Sequence, residues 1–231
     1  LQWANQLDVR SPLSRSSWRP SRVEGKQPTR KARSQDELDA VEEALVERTK
    51  KAYSMRTAAP AIWQIQRWGG LRSAEVSALE VGDVTIQEDG TGLIAVTKSW
   101  TRNEGLTRTK GGKLSGGSGH RLVTLRREAV QIVLEWIQSG PSDALLFPNS
   151  DGRSDRDHIT SRQIRRQFVA ASEDAGIEPV VTPHQLRHSL NDWLRRQGVD
   201  SEARRAQLGH LSEDVNAGYS DPRSTEILKV M

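Results

Sequence analysis

The chain has no cysteine among its 231 residues, which rules out a disulfide framework, a thiolate zinc site and a thiol nucleophile. It has no apolar run long enough to span a bilayer and no signal-peptide pattern at its start, so a cytoplasmic protein without a membrane partner is expected. No HExxH or GxxxxGK motif occurs, so the sequence calls for neither a divalent metal nor a nucleotide, and no metal ligand or small-molecule cofactor is assigned. Internal repeats are also lacking. The first residue is Leu1 where a start methionine would stand, which suggests a piece of something longer.

What is present is positive charge at one end. The net charge is +4 and the pI about 9.6. Residues 1–33 carry Arg10, Arg15, Arg19, Arg22, Lys26, Arg30, Lys31 and Arg33 against Asp8 and Glu24, a local balance of +6 that leaves −2 for the rest. A basic arm rich in Ser and Pro on a near-neutral body suits a partner with regularly spaced negative charge, nucleic acid first; a solvated linker is the plainer alternative. The length suits one sizeable domain or two small ones.

Pro12, Pro20 and Pro28 interrupt any helix in 1–33, so this segment is expected to be an extended arm or linker, with an ordered domain over 34–231. Order begins at Ser34, where S-Q-D-E has the form of a capping box and Leu38, Val41 and Leu45 follow at helical spacing. A second helix is expected to carry Ile62 and Ile65 and stop at Gly69 and Gly70; a third starts near Ser73 and buries Val76 and Leu79. VTI, GLIAVTKSW and HRLVTL then read as strands of a small antiparallel sheet, with the Gly-rich KGGKLSGGSGH loop between the last two. Helices follow around 129–138, 161–175, 184–197 and 201–208, with Gly176 and Gly198 as stops, and STEILKVM could form two final turns.

Near the end, TPHQLRHS, QLGH and NAGYSD set His184, Arg187, His210 and Tyr219 in order, and Arg72 lies far upstream in GGLRSAEVSAL. Cutting a phosphodiester needs a nucleophile, neutralisation of the charge that builds on phosphorus, and a proton for the departing oxygen. Arginine suits the second task because its guanidinium stays charged and donates paired hydrogen bonds, and Arg72 and Arg187 are the candidates. Tyr219, with an ordinary pKa near ~10, needs positive charge or a base beside it to attack, which His184 and His210 are spaced to supply. Singly, each reads as an ordinary surface or structural residue; the joint order and spacing carry the argument. His158 with Asp155 and Asp157 looks like a polar loop, and His120 and His188 read as structural or solvent-facing.

This set resembles the active site of the tyrosine recombinases, the phage-integrase family. The H-x-x-R box matches His184 to Arg187, the L-G-H box matches Leu208 to His210, and the tyrosine follows that histidine by nine positions. The resemblance implies a mainly α catalytic domain with a small antiparallel sheet (α+β). It implies that Tyr219 attacks double-stranded DNA to give a covalent 3′-phosphotyrosyl intermediate, and that a homotetramer forms on paired sites. It implies a lysine general acid between the second and third strands, Lys110 or, closer to the third strand, Lys113. Glu75, three residues after Arg72, would buttress the first arginine. Two other readings are a DNA-binding member of the fold that does not cut, and a topoisomerase-like nicking and closing enzyme. The tail after Tyr219, with Ile227, Leu228 and Val230, is a short apolar stretch expected to need a docking surface, either on its own domain or on a neighbouring subunit.

Overall fold

The capping box at Ser34 forms as expected: the Glu37 N–H donates to Ser34 Oγ at 3.2 Å and the Ser34 N–H to Glu37 Oε2 at 2.8 Å. In a computed structural model that describes residues 32–51, 58–109, 121–137, 140–149, 157–209 and 225–231, it opens helix α1, Gln35–Lys51. After α1 come α2 (Ala59–Gly69), α3 (Ser73–Val76), a 3-10 turn (Val81–Asp83), and strands β1 (Val84–Ile86), β2 (Gly92–Val96), β3 (Lys98–Thr101), β4 (Gly105–Arg108) and β5 (Arg121–Leu125). Helices α4 (Arg127–Ile137), α5 (Ser161–Asp174), α6 (Pro183–Arg196), α7 (Ser201–Leu208) and α8 (Thr225–Val230) complete the order. The span Ala32–Met231 is one compact unit.

Helix α2 is the central post. Pro60 sits in its first turn, where a missing N–H costs nothing, and every other residue of the helix is buried. Around it pack α1, α4, α5, α6 and β5. Trp63 meets Phe168 of α5 edge to face at 4.9 Å, and both are fully buried. Trp68 lies between Trp193 of α6 at 5.3 Å and the Arg126 guanidinium at 4.4 Å. The buried Arg67 is paired with Asp39 and Glu42 of α1, each at 2.7 Å, so its charge is balanced inside.

The strands differ from the expected pattern in two ways. GLIAVTKSW is not one strand: β2 pairs with β1 and β5, with Ile94 opposite Val84 and Val123, and the chain then leaves that sheet at Thr97. Lys98–Thr101 turns back on a strand that the sequence pattern did not reveal, β4, with Trp100 opposite Leu106, as a separate two-stranded ribbon. A tight turn through Glu104, whose N–H donates to Thr101 Oγ1 at 3.2 Å, closes that ribbon. Helix α3 is also shorter than expected. Leu79 is buried beyond its end, because residues 79–82 bond across to 142–146: Leu146 N to Leu79 O at 2.8 Å, Val81 N to Ala144 O at 2.9 Å and Gly82 N to Ser142 O at 2.8 Å.

Helices α5 and α6 start at capping boxes, Thr160 with Gln163 and Thr182 with Gln185, and α7 starts at Asp200, which accepts from two backbone N–H groups. Gln207 fixes α7 to the free edge of β5. Its amide accepts from Thr124 N at 3.0 Å and donates to Thr124 O at 2.8 Å, as a neighbouring strand would. The C-terminal helix docks in cis, one of the two surfaces expected for it: Ile227 is fully buried in the chain's own core, and Val230 and Met231 pack against that core.

Candidate active site

Gly70, in the left-handed conformation at φ 67°, ends α2 and turns the chain so that the buried Leu71 anchors it and Arg72 becomes the N-cap of α3. Arg72 cannot cap as a Ser or Asp would, and Glu75 supplies the contact from the third helical position. Its Oε2 accepts the Arg72 N–H at 2.8 Å and its Oε1 accepts Arg72 Nη1 at 2.9 Å. Backbone and side chain of Arg72 are thus held by one carboxylate, while the side chain itself stays 40% exposed.

Glu75 is only 2% exposed and has a second guanidinium on it. Arg121, the first residue of β5, donates from Nη1 to Oε1 at 3.1 Å and from Nη2 to Oε2 at 2.7 Å. Burial works against the ionised carboxyl, but the charge and hydrogen bonds of Arg121, with the N–H and charge of Arg72, outweigh it and hold Glu75 below its ordinary pKa.

Arg187 points inward from α6 and is 6% exposed. Its Nη1 donates to the Gly70 carbonyl at 2.5 Å and its Nη2 to the Leu208 carbonyl, so it ties the approach to α3 to the end of α7. Burial, then the charges of Arg72 and Arg121, push its pKa down to about 9, with Glu75 opposing, and it remains a cation at neutral pH. Two guanidiniums on one carboxylate, with the charge of a third acting on them, leave a local excess of positive charge, the condition for binding an anion.

His184, in the first turn of α6, lies on the exposed face, with its Nε2 2.9 Å from that of His188 and the rings edge-on at 4.3 Å. One proton between the two nitrogens makes one ring donor and the other acceptor. Gly209, left-handed at φ 60°, ends α7 and lies against Arg121. His210 and Tyr219, the lysines Lys110 and Lys113, His120, and the arm residues Arg10, Arg15, Arg19, Arg22, Lys26, Arg30 and Lys31 lie outside the described residues. Arg33, counted with the arm by its charge, belongs instead to the body. Its N–H donates to Ser189 Oγ at 2.8 Å, its Nη1 pairs with Glu37 at 2.8 Å, and its Nη2 donates to the Pro179 carbonyl.

Sequence reasoning missed Arg121, because an arginine at the head of a strand looks like any surface charge. It also passed over Arg162, Arg165 and Arg166, which are exposed on α5 opposite the buried Ile164 and Phe168. Their helical spacing was the available signal. His158 is a packing residue, stacked on Trp100 at 4.8 Å and 3° between ring planes. Among the described residues no group of three or more His, Asp or Glu is placed to hold a metal ion.

Residues 35–225 match the phage integrase family, a span that contains Arg72, Glu75, Arg121, Arg187 and all the motif residues. The chain belongs to the phage integrase family. Tyrosine recombinase XerA of Thermococcus kodakarensis is 29% identical over 151 residues, covering 65% of this chain and 46% of that protein. Tyrosine recombinase XerC of Pelobacter propionicus is 27% identical over 164 residues, covering 70% and 46%. The chain spans about half the length of these curated relatives. In fold it is similar to the crystal structure of a XerA recombinase, with a TM-score of 0.57, 22% identity and coverage of 87% of this chain and 63% of that one. It is similar also to the Tn1549 transposon integrase in complex with circular intermediate DNA, with a TM-score of 0.62, 16% identity and coverage of 90% and 70%. Both bear out a mainly helical domain with small antiparallel sheets. Among the described residues no helix is long and apolar enough to cross a membrane.

Proposed function

We propose that residues 34–231 are the catalytic domain of a site-specific recombinase that breaks and rejoins double-stranded DNA through a covalent 3′-phosphotyrosyl intermediate. The observation that carries this reading is Arg72 and Arg121 held on the buried carboxylate of Glu75, with the charge of Arg187 felt by all three and its side chain bonded to the Gly70 and Leu208 carbonyls, beside the turn that runs into His210. Arg72 and Arg187 would donate to the non-bridging oxygens of the scissile phosphate. Each terminal nitrogen of Arg187 carries two N–H groups, so its bonds to the Gly70 and Leu208 carbonyls leave one on each.

In the proposed step the Tyr219 oxygen bonds to phosphorus and its proton passes to a base, His184 or His210. The bond from phosphorus to the 5′ oxygen breaks, and that oxygen takes a proton from Lys110, or from Lys113 if the roles are exchanged. The excess positive charge stabilises the added negative charge at phosphorus throughout. Strand exchange runs the same steps in reverse with the 5′ hydroxyl of a partner duplex, so four chains on two paired sites are proposed, acting on DNA in the cytoplasm. The basic arm and the exposed Arg162, Arg165 and Arg166 would lie along the DNA phosphates.

The test is a nicked suicide duplex, from which the fragment after the cut diffuses away, followed by a denaturing gel. The wild-type chain should form a protein-DNA adduct and Tyr219→Phe none, with DNA affinity nearly unchanged. An adduct that survives in Tyr219→Phe would remove the tyrosine from the reaction; no adduct with the wild type would leave a DNA-binding protein that does not cut.

A further inference from the structure

We propose that Arg121 is a positioning residue of the reaction: it sets Arg72 through Glu75 and braces the turn that leads into His210. This rests on the recombinase reading. The Arg121 fork is directed at Glu75, which makes two bonds to it and two to Arg72, so the carboxylate transmits the placement of one arginine to the other. The two differ in exposure, with the Arg72 side chain 40% exposed and that of Arg121 12%. Arg72 is therefore presented to a ligand, and Arg121 is held behind it.

The other flank of Arg121 lies flat on Gly209. A Cβ at that position would stand 2.9 Å from its Cζ and Nε, closer than real Cβ atoms approach, and a tight 3.0 Å from its Cδ. Glycine is favoured at 209 by its φ of 60°, and a Cβ there would push the Arg121 guanidinium aside. Arg121 Nε is buried and has no hydrogen-bond partner among the described residues. Among the described residues the group is held by the Glu75 fork and the Gly209 contact. Arg187 makes a parallel tie between Gly70 and Leu208. Two guanidiniums thus lock residues 70–75 to residues 208–209, and Arg121 is the one that reaches the Arg72 side chain. Lysine has no planar fork to grip both carboxylate oxygens, so it is a poor substitute.

Single-turnover cleavage of the suicide duplex, with rate constant and half-saturating DNA measured separately, tests this on the full chain. Arg121→Lys should slow cleavage by about tenfold to hundredfold with half-saturation unchanged, as a small misplacement of a catalytic group does. In an Arg72→Ala background the same change should add less than about twofold, because its effect passes through Arg72. Gly209→Ala, which displaces the guanidinium from the other side, should slow cleavage in the same way and keeps the proposal falsifiable if Arg121→Lys fails to fold. An unchanged rate in Arg121→Lys, effects that multiply in the double variant, or a loss confined to DNA binding would each overturn the proposal. If the wild type forms no adduct, the recombinase reading fails and side-chain NMR of the DNA-free protein still decides. The Arg72 guanidinium signals should change from restricted to freely rotating in Arg121→Lys, and unchanged signals would overturn the proposal.

Discussion

Replacing Glu75 with Gln should cost more stability than any surface ion pair could. The carboxylate is 2% exposed and accepts four hydrogen bonds from two arginines. Removing one partner of a buried pair costs roughly 3–5 kcal/mol. The Arg72 side chain is 40% exposed, so its ion pair contributes only about 0–1 kcal/mol of this. The pair with Arg121 supplies the rest. Gln keeps one carbonyl acceptor but turns an NH2 toward a guanidinium, which places the loss near the lower end, about 3 kcal/mol. At about 2–4 °C per kcal/mol for a domain of this size, the melting temperature should fall by roughly 6–12 °C. The pH dependence gives a second measure. Glu75 is held below its ordinary value of 4.5, so its contribution is fully present above that value and is lost as pH falls through the lower folded value. Glu75→Gln should therefore flatten the acid limb of the stability curve below about pH 4.5 and leave the rest parallel. Thermal melting by circular dichroism from pH 3 to 8 measures both. A fall under about 2 °C at pH 7, or an acid limb as steep as that of the wild type, would refute the coupling of Glu75 to Arg121.

Ile227→Ala should destabilise the chain by roughly 2–5 kcal/mol in urea unfolding, because the C-terminal helix is seated in its own core; a loss below about 0.5 kcal/mol would show that it is not. Lys110→Ala should slow cleavage of an ordinary 5′-oxygen substrate and recover with a 5′-thio leaving group, which needs little protonation; recovery seen only in Lys113→Ala would exchange the two lysines. Deleting residues 1–31, or replacing Arg162, Arg165 and Arg166 together with Gln, should reduce the slope of log affinity against log salt by about 0.9 for each phosphate that is no longer neutralised, and an unchanged slope would make the deleted arm a tether.

Local rules were enough for much of the architecture. The Ser34 capping box, the stop at Gly70 and the span 201–208 depend on backbone bonding within a few residues, and they stand where the sequence put them. The four motif segments fixed the order of the candidate site in the same way, because spacing along the chain is a property of the sequence. The break at Thr97 was not legible, since Lys98–Thr101 has strand propensity in either sheet and only the turn before Gly105 decides its partner. Nor was the end of α3, where bonds to residues 142–146 compete with a longer helix. The fate of the tail was likewise decided by a gap in the core that Ile227 fills. Arg121 shows the difference most clearly. By itself the sequence determined only that an arginine lies in the HRLVTL strand; the tertiary structure, which brings Glu75 from 46 residues away and the Gly209 turn onto its two flanks, gave that charge a place beside Arg72. Helix caps and periodicity are set by neighbours in sequence, whereas a buried ion pair is set by whichever segments the core forces together, and no local pattern records that choice.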